Sequence, residues 1–310
     1  RFTVYTCVGW NEEWALKYPQ WQQRNVAGVV GMRGTFERGY YSWNDLCLNA
    51  KDYREIIKNE LKEEYELFKH AGFWIDIVNQ RGCVCDNCIS GMKSKGMDPT
   101  LDYSIRKYGR MVELDFCREI YDFIKDMNPE LEIYFNSFPY EVDLVDIPEL
   151  SSHKKREYFD FIDIESLPSD AWGYTHFPLA VNFLNKYDYE ITMMNGKFHM
   201  AWGDFGSIRN EKALEYECFR AIANGAKVCI GDQLHPTGRL EPAVYDRIGK
   251  VFSEIEKREY WVDQTDKIAQ VAVLTTSRTL YAHNMNGNLA DEGVYRVLSE
   301  AKIPFDFVSF

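Results

Sequence analysis

The chain has 310 residues, 45% hydrophobic and 15% aromatic, which is enough to bury a full core in one large α/β domain or two smaller ones. Its formal net charge of −12 comes without a clustered basic stretch, which argues against a nucleic-acid surface and favours neutral or cationic ligands. No apolar run approaches the roughly 18 residues of a membrane span, so no membrane association is expected; the cytoplasm is the expected location, with a signal peptide ahead of Arg1 left open because the absence of a leader pattern here says little. Because Arg1 already stands in a strand-like run and Phe310 in another, the chain reads as a piece cut at both ends.

In chain order, an opening strand over 2–8 leads into an aromatic segment over 9–49, with Trp10, Trp14, Trp21, Tyr40, Tyr41 and Trp43. That is too long for an ordinary connection, so it is expected to fold over the C-terminal ends of the strands and wall a site. Apolar positions at helical spacing predict a helix over 51–70, and Phe73-Trp74-Ile75-Asp76-Ile77-Val78 reads as a buried strand presenting Asp76 at its end. A helix over 102–127 closes at Asn128-Pro129, followed by a strand over 131–136 and a polar linker over 151–158. Strands over 159–165, 189–194 and 226–230 then alternate with helices over 175–187, 210–224 and 241–258. Past residue 262 the pattern restarts with a strand over 267–275, a helix over 288–301 and a strand over 303–308.

This order predicts an α/β fold: a (β/α)8 TIM-type barrel over 1–262, with about six of eight strands present, then a truncated flavodoxin-like domain over 265–310. A doubly wound open sheet is the competing architecture. Each strand ends in polar residues, among them Asp76, Asn136, Glu165, His199, Asp232 and His235, and this recurrence marks one face as the candidate active site.

Cys83, Cys85 and Cys88 form a C-x-C-x-x-C cluster, and Cys47, at the mouth of the adjoining helix, is the natural fourth ligand of a structural zinc. The other cysteines, Cys7, Cys117, Cys218 and Cys229, read as core. Asp76 and Glu165 are the carboxylates that could share glycoside hydrolysis, one at the anomeric carbon and one moving the leaving-group proton. Asp163, Asp170 and Asp232 are rivals, Asp163 one layer deeper and Asp232 able to bind hydroxyls or to replace Glu165. Trp10, Trp43, Asn136, Trp172, Tyr174, His176, His199, Trp202, Asp204, Asp232 and His235 are candidate sugar contacts, the rings for stacking and the polar groups for hydroxyls. No phosphate loop or dinucleotide fingerprint occurs, so no organic cofactor is expected.

The run from Leu46-Cys47-Leu48-Asn49 to the cysteine cluster resembles the zinc-cluster region of the family 42 β-galactosidases. The tail, with Glu292-Gly293-Val294-Tyr295 and Ile303-Pro304-Phe305-Asp306, is similar to that family's trimerisation domain, which implies a trimer-like homo-oligomer. The Asn-Glu acid/base pair of that family is missing, since Ile77-Val78 follow Asp76, and no seventh-strand nucleophile stands in 191–199. The middle of the chain, from Ile164-Glu165-Ser166 through Trp172-Gly173-Tyr174-Thr175-His176, with His199-Met200-Ala201-Trp202-Gly203-Asp204 and Gly231-Asp232-Gln233-Leu234-His235-Pro236, resembles the hypothetical glycosyl hydrolase 6 group and its α-L-fucosidase-like relatives. The resemblance of Trp74-Ile75-Asp76 to their Trp-x-Asp motif implies that Asp76 is the nucleophile of a retaining exo-glycosidase, while Glu165 as acid/base rests on its place at a strand end. A β-galactosidase-like or other exo-glycosidase, and a carbohydrate-binding protein with a degenerate barrel, are the alternatives.

Overall fold

A computed structural model describes residues 2–30, 44–69, 71–80, 82–136, 152–169, 172–185, 187–200, 202, 204, 206–233, 235–262, 265, 267–275 and 289–308. They belong to two compact units, the first closing at Asp160 and the second opening at Phe161. The described strands form three parallel sheets, with helices between successive strands, as the α/β reading expects; no closed barrel is formed among the described residues.

In the first unit β1 (Thr3–Cys7), β2 (Gly72–Asp76) and β3 (Glu132–Phe135) pair in that order, with Cys7 opposite Asp76 and Trp74 opposite Tyr134. Every residue of β2 is buried, which is why its sequence is an unbroken apolar run and not an alternation. The described part of the aromatic segment, 9–30 and 44–49, is partly regular. It holds α1 (Glu12–Lys17), whose cap residue Asn11 accepts from the Trp14 N–H at 3.0 Å, and a 3₁₀ turn, Pro19–Trp21. Trp21 is buried, stacked on Tyr18 at 4.0 Å and meeting Tyr53 of α2 (Lys51–Phe68) at 5.5 Å. Helix α2 turns its Tyr53, Ile57 and Leu61 inward, and its buried Arg54 pairs with Asp115 and Glu119 of α4 (Asp102–Met127) at 3.0 and 2.6 Å. Two short helices complete the unit: α3 (Asp86–Ser94), against α4, and α5 (Ser152–Arg156), within the predicted linker.

In the second unit β4 (Phe161–Glu165), β5 (Glu190–Gly196) and β6 (Lys227–Gly231) pair with Glu165 opposite Met194 and Gly196 opposite Gly231. Leu214 and Cys218 of α7 (Glu211–Ile222) pack with Val251 and Ile255 of α8 (Pro242–Val262) over Val228 and Ile230 of β6. The C-terminal strands β7 (Val271–Leu274) and β8 (Phe305–Val308) pair in parallel around α9 (Leu289–Glu300). Helix α6 (His176–Leu184) is buried at every position because β4 covers one side and β8 another. Lys267 ties this arrangement, its ammonium meeting Asn182 of α6, the Phe305 carbonyl and the Asp306 carboxylate.

Candidate active site

In the first unit the parallel register stacks two layers of side chains. Tyr5, Trp74 and Tyr134 form the lower one, with Trp74 stacked on Tyr5 at 5.4 Å and tilted against Tyr134 at 5.7 Å. Cys7, Asp76 and Asn136 stand one step further toward the strand ends. Asp76 is 8% exposed, and each carboxylate oxygen accepts one hydrogen bond: Oδ2 from the Tyr5 hydroxyl, Oδ1 from Asn136 Nδ2 at 2.7 Å. Desolvation of its hydroxyl end, and then the Asp76 charge, hold the Tyr5 phenol well above its usual range. Burial pushes the Cys7 thiol up to about 11. Both titratable groups that β1 turns toward Asp76 are therefore neutral near pH 7.

The backbone next to Asp76 is constrained. Ile77 has φ of 58°, a left-handed conformation that a β-branched side chain rarely adopts. Gly9 is required above it, since a Cβ there would stand 1.9 Å from the Ile77 carbonyl oxygen. Trp10 follows, accepting from the Cys7 thiol at 3.6 Å through its carbonyl and bridging to Asp45 just past the end of β1. Trp43, paired with it in the sequence reading, lies outside the described residues.

Beside this sheet the four predicted cysteines come together. They are buried, with their sulfurs within 4.8 Å of one another; Cys47 stands 3.5 Å from Cys88, 3.6 Å from Cys85 and 4.0 Å from Cys83. Four sulfurs about 2.3 Å from a tetrahedral ion stand roughly 3.8 Å apart, so the set has the dimensions of a metal site. Thiolate-stabilising donors surround it: Gln80 Nε2 reaches Cys47 at 3.2 Å and Cys88 at 3.5 Å, and the Arg24 N–H reaches Cys83 at 3.4 Å. Gln80 is itself fixed, its N–H donating to buried Glu113 at 2.7 Å and its Oε1 accepting from the Leu48 N–H at 2.8 Å.

In the second unit Glu165, at the end of β4, accepts from the Trp202 indole N–H. The indole lies over Gly231, where a Cβ would come within 2.5 Å of its ring, and the Trp202 carbonyl accepts from Gln233 Nε2. Asp232 pairs with Lys197 at 3.1 Å, both side chains nearly buried. At the end of β5, Asn195 donates to Glu217, which is paired with fully buried Arg209; Arg209 in turn reaches the Tyr174 hydroxyl at 3.4 Å. Desolvation raises the Glu217 carboxyl despite the opposing Arg209 charge.

The remaining predicted contacts divide by burial. His176 is fully buried, with Nδ1 3.2 Å from Ser166 Oγ and its ring edge-on to Trp172 at 6.5 Å. His199 and His235 are exposed, and His235 Nδ1 stands 2.9 Å from Thr237 Oγ1. The carboxylate of Asp204 accepts from the Met200 N–H at 3.0 Å and from Ser207, which lowers its pKa and commits it to the turn. Asp163, as expected for a deeper layer, is buried, whereas Asp170 lies outside the described residues. Sequence reasoning missed Tyr5, Lys197, Arg209, Glu217 and Gln233. Lys197 carried a readable signal, a cation directly after a strand end, and Gln233 stands inside the Gly231–Pro236 motif.

No protein-family model and no curated protein matches this sequence. Among solved structures, the glycoside hydrolase domain of a PelA variant from Pseudomonas aeruginosa is 12% identical, with TM-score 0.43 over 74% of this chain and 77% of that one. A noncanonic maltogenic α-amylase, AmyB from Thermotoga neapolitana, is 13% identical, with TM-score 0.42 over 84% of this chain and 56% of that one. At such scores neither bears on the site. The α-L-fucosidase isoenzyme 2 of Paenibacillus thiaminolyticus is of another order, 31% identical with TM-score 0.88. Over 99% of its residues, therefore, this chain shares its sequence pattern and its fold with an α-L-fucosidase, of whose length it spans 45%.

Proposed function

We propose that this chain is the catalytic part of a retaining exo-glycosidase acting on α-L-fucosides, with Asp76 as nucleophile and Glu165 as acid/base. The observation that carries this reading is Asp76 itself, a carboxylate at a strand end with a neutral donor on each oxygen, in a chain similar throughout to an α-L-fucosidase. The fold that belongs to this proposal is a (β/α)8-type barrel over 1–262, with a flavodoxin-like domain beginning near residue 265. Asp76 attacks the anomeric carbon as the bond to the leaving oxygen breaks, and Glu165 gives that oxygen its proton. Water then attacks the glycosyl ester and returns a proton to Glu165.

Cys47, Cys83, Cys85 and Cys88 would hold a zinc that braces the loop after β2; four sulfur ligands leave no open position, so its part is structural. Trimer-like self-association through the C-terminal segment belongs to the same proposal, supported by exposed Ile268 and Val297.

The test is rescue by azide. Asp76→Ala is expected to lose nearly all hydrolysis of a nitrophenyl α-L-fucoside and, with azide, to release the β-configured azide. Glu165→Ala is expected to spare good leaving groups and to give the α-configured azide, because azide then replaces water on the covalent intermediate. Wild-type turnover in Asp76→Ala would overturn the reading.

A further inference from the structure

Beyond the reacting carboxylates, the second unit contains a cleft of about 350 Å³ between the loops that follow β5 and β6, within the size range of small-ligand sites. We propose that this cleft is the leaving-group subsite and that it takes a neutral sugar ring; the assignment rests on the glycosidase reading above.

Position is the first argument. The cleft is lined by Lys197, Ser207, Asp232, Gln233, Arg239 and Arg247, among others. Gln233 donates to the Trp202 carbonyl, and the Trp202 indole donates to Glu165, so one residue separates the cleft lining from the proposed acid/base. A glycosidase acid/base gives its proton to the leaving oxygen, and the sugar attached to that oxygen lies on the same side.

Preorganisation is the second. The Lys197 N–H donates to the Gly231 carbonyl at 2.9 Å and the Arg209 N–H to the Lys197 carbonyl at 2.8 Å. Arg247 donates to the Arg209 carbonyl at 2.7 Å, so β5, β6 and α8 all hold the lining. A site held by three elements loses little entropy when it orders a polyol.

Charge decides the class of ligand. The Lys197–Asp232 pair at 3.1 Å cancels internally, Arg239 and Glu241 carry one charge of each sign, and Arg247 keeps its positive charge while donating to a backbone carbonyl, so the lining mixes charges of both signs with donors and acceptors. Hydroxyl groups, which donate and accept, match such a lining; an anion would meet Asp232 and Glu241 as well as the cations, and an aryl group would leave the polar groups unpaired.

The experiment uses the full-length protein with the variants Arg239→Ala and Gln233→Ala. Two quantities are read: kcat/KM for an α-L-fucosyl disaccharide relative to nitrophenyl α-L-fucoside, and lactose binding by saturation-transfer NMR, which needs no turnover. Both variants are expected to lower the disaccharide-to-aryl ratio about tenfold, mainly through KM, and to weaken lactose binding, as loss of one or two hydrogen bonds predicts. If no α-L-fucoside is turned over but lactose binding is lost in the variants, the fucosidase reading fails and the sugar site stands. If fucosides are hydrolysed while the ratio and lactose binding match wild type in both variants, the subsite is overturned. Sulfate or glucuronate displacing lactose at lower concentration than a neutral sugar would overturn the charge assignment.

Discussion

Asp76 depends on donors that come from two other strands, and the effect of each can be separated. Tyr5→Phe keeps the ring on Trp74 but removes one charge-assisted hydrogen bond, of a kind that contributes about 1.5–3 kcal/mol. Turnover by that variant is expected to fall by about tenfold or more with little change in KM, measured by steady-state kinetics on an aryl fucoside. Glu113 makes a different case. Burial raises its carboxyl, but Lys155 at 3.2 Å and Arg110 at 2.8 Å outweigh this and hold it below the usual range. A depressed folded pKa contributes stability that is present above the unfolded value and lost as pH falls through the folded one. Urea unfolding should therefore show wild-type stability declining below about pH 4. Glu113→Gln should lack that step and be weaker at pH 7 by about 3 kcal/mol, since Lys155 stays buried without its anion.

Among the elements, the turn between β2 and α3 is held by buried Val78 and by the cysteine set with its Gln80 and Glu113 supports. With zinc bound, elemental analysis should find about one ion per chain, and Cys47→Ser should lose it. The same variant should lower Tm by several degrees, as should a strong chelator. An unchanged Tm with no metal in the wild-type protein would leave the cluster as four buried thiols. In the aromatic segment, the described Trp21 packs the 3₁₀ turn against α2, buried on Tyr53.

At the scale of the molecule, the C-terminal segment is part of what keeps the second unit folded. Helix α6 has no polar face, so removing β8 would expose one side of it. A chain ending at Val262 is expected to melt at least several degrees below the longer one and to aggregate, whereas Lys267→Ala, which loses only the polar ties, should fall between the two. Differential scanning calorimetry distinguishes these outcomes. Equal melting of the truncated and longer chains would mean that the segment only leans on α6.

Period and composition determined much of this protein. An apolar run with one carboxylate read as a buried strand that presents Asp76, helical spacing placed α2, Asn128-Pro129 and Gly225 marked the ends of α4 and α7, and three cysteines in six residues pointed to a metal cluster with Cys47 as its fourth member. These are local properties, which one segment carries by itself. Tertiary structure decided the partners. Which residue of β1 stands beside Asp76 depends on parallel register, so Tyr5 could not be read from its neighbours in sequence. Whether a histidine at a helix start faces sugar or core depends on what covers the helix, and β8, more than a hundred residues later, buries α6 together with His176. The ion pair of Arg209 and Glu217 was equally hidden, because a charge reads as surface until the fold supplies a buried counter-charge.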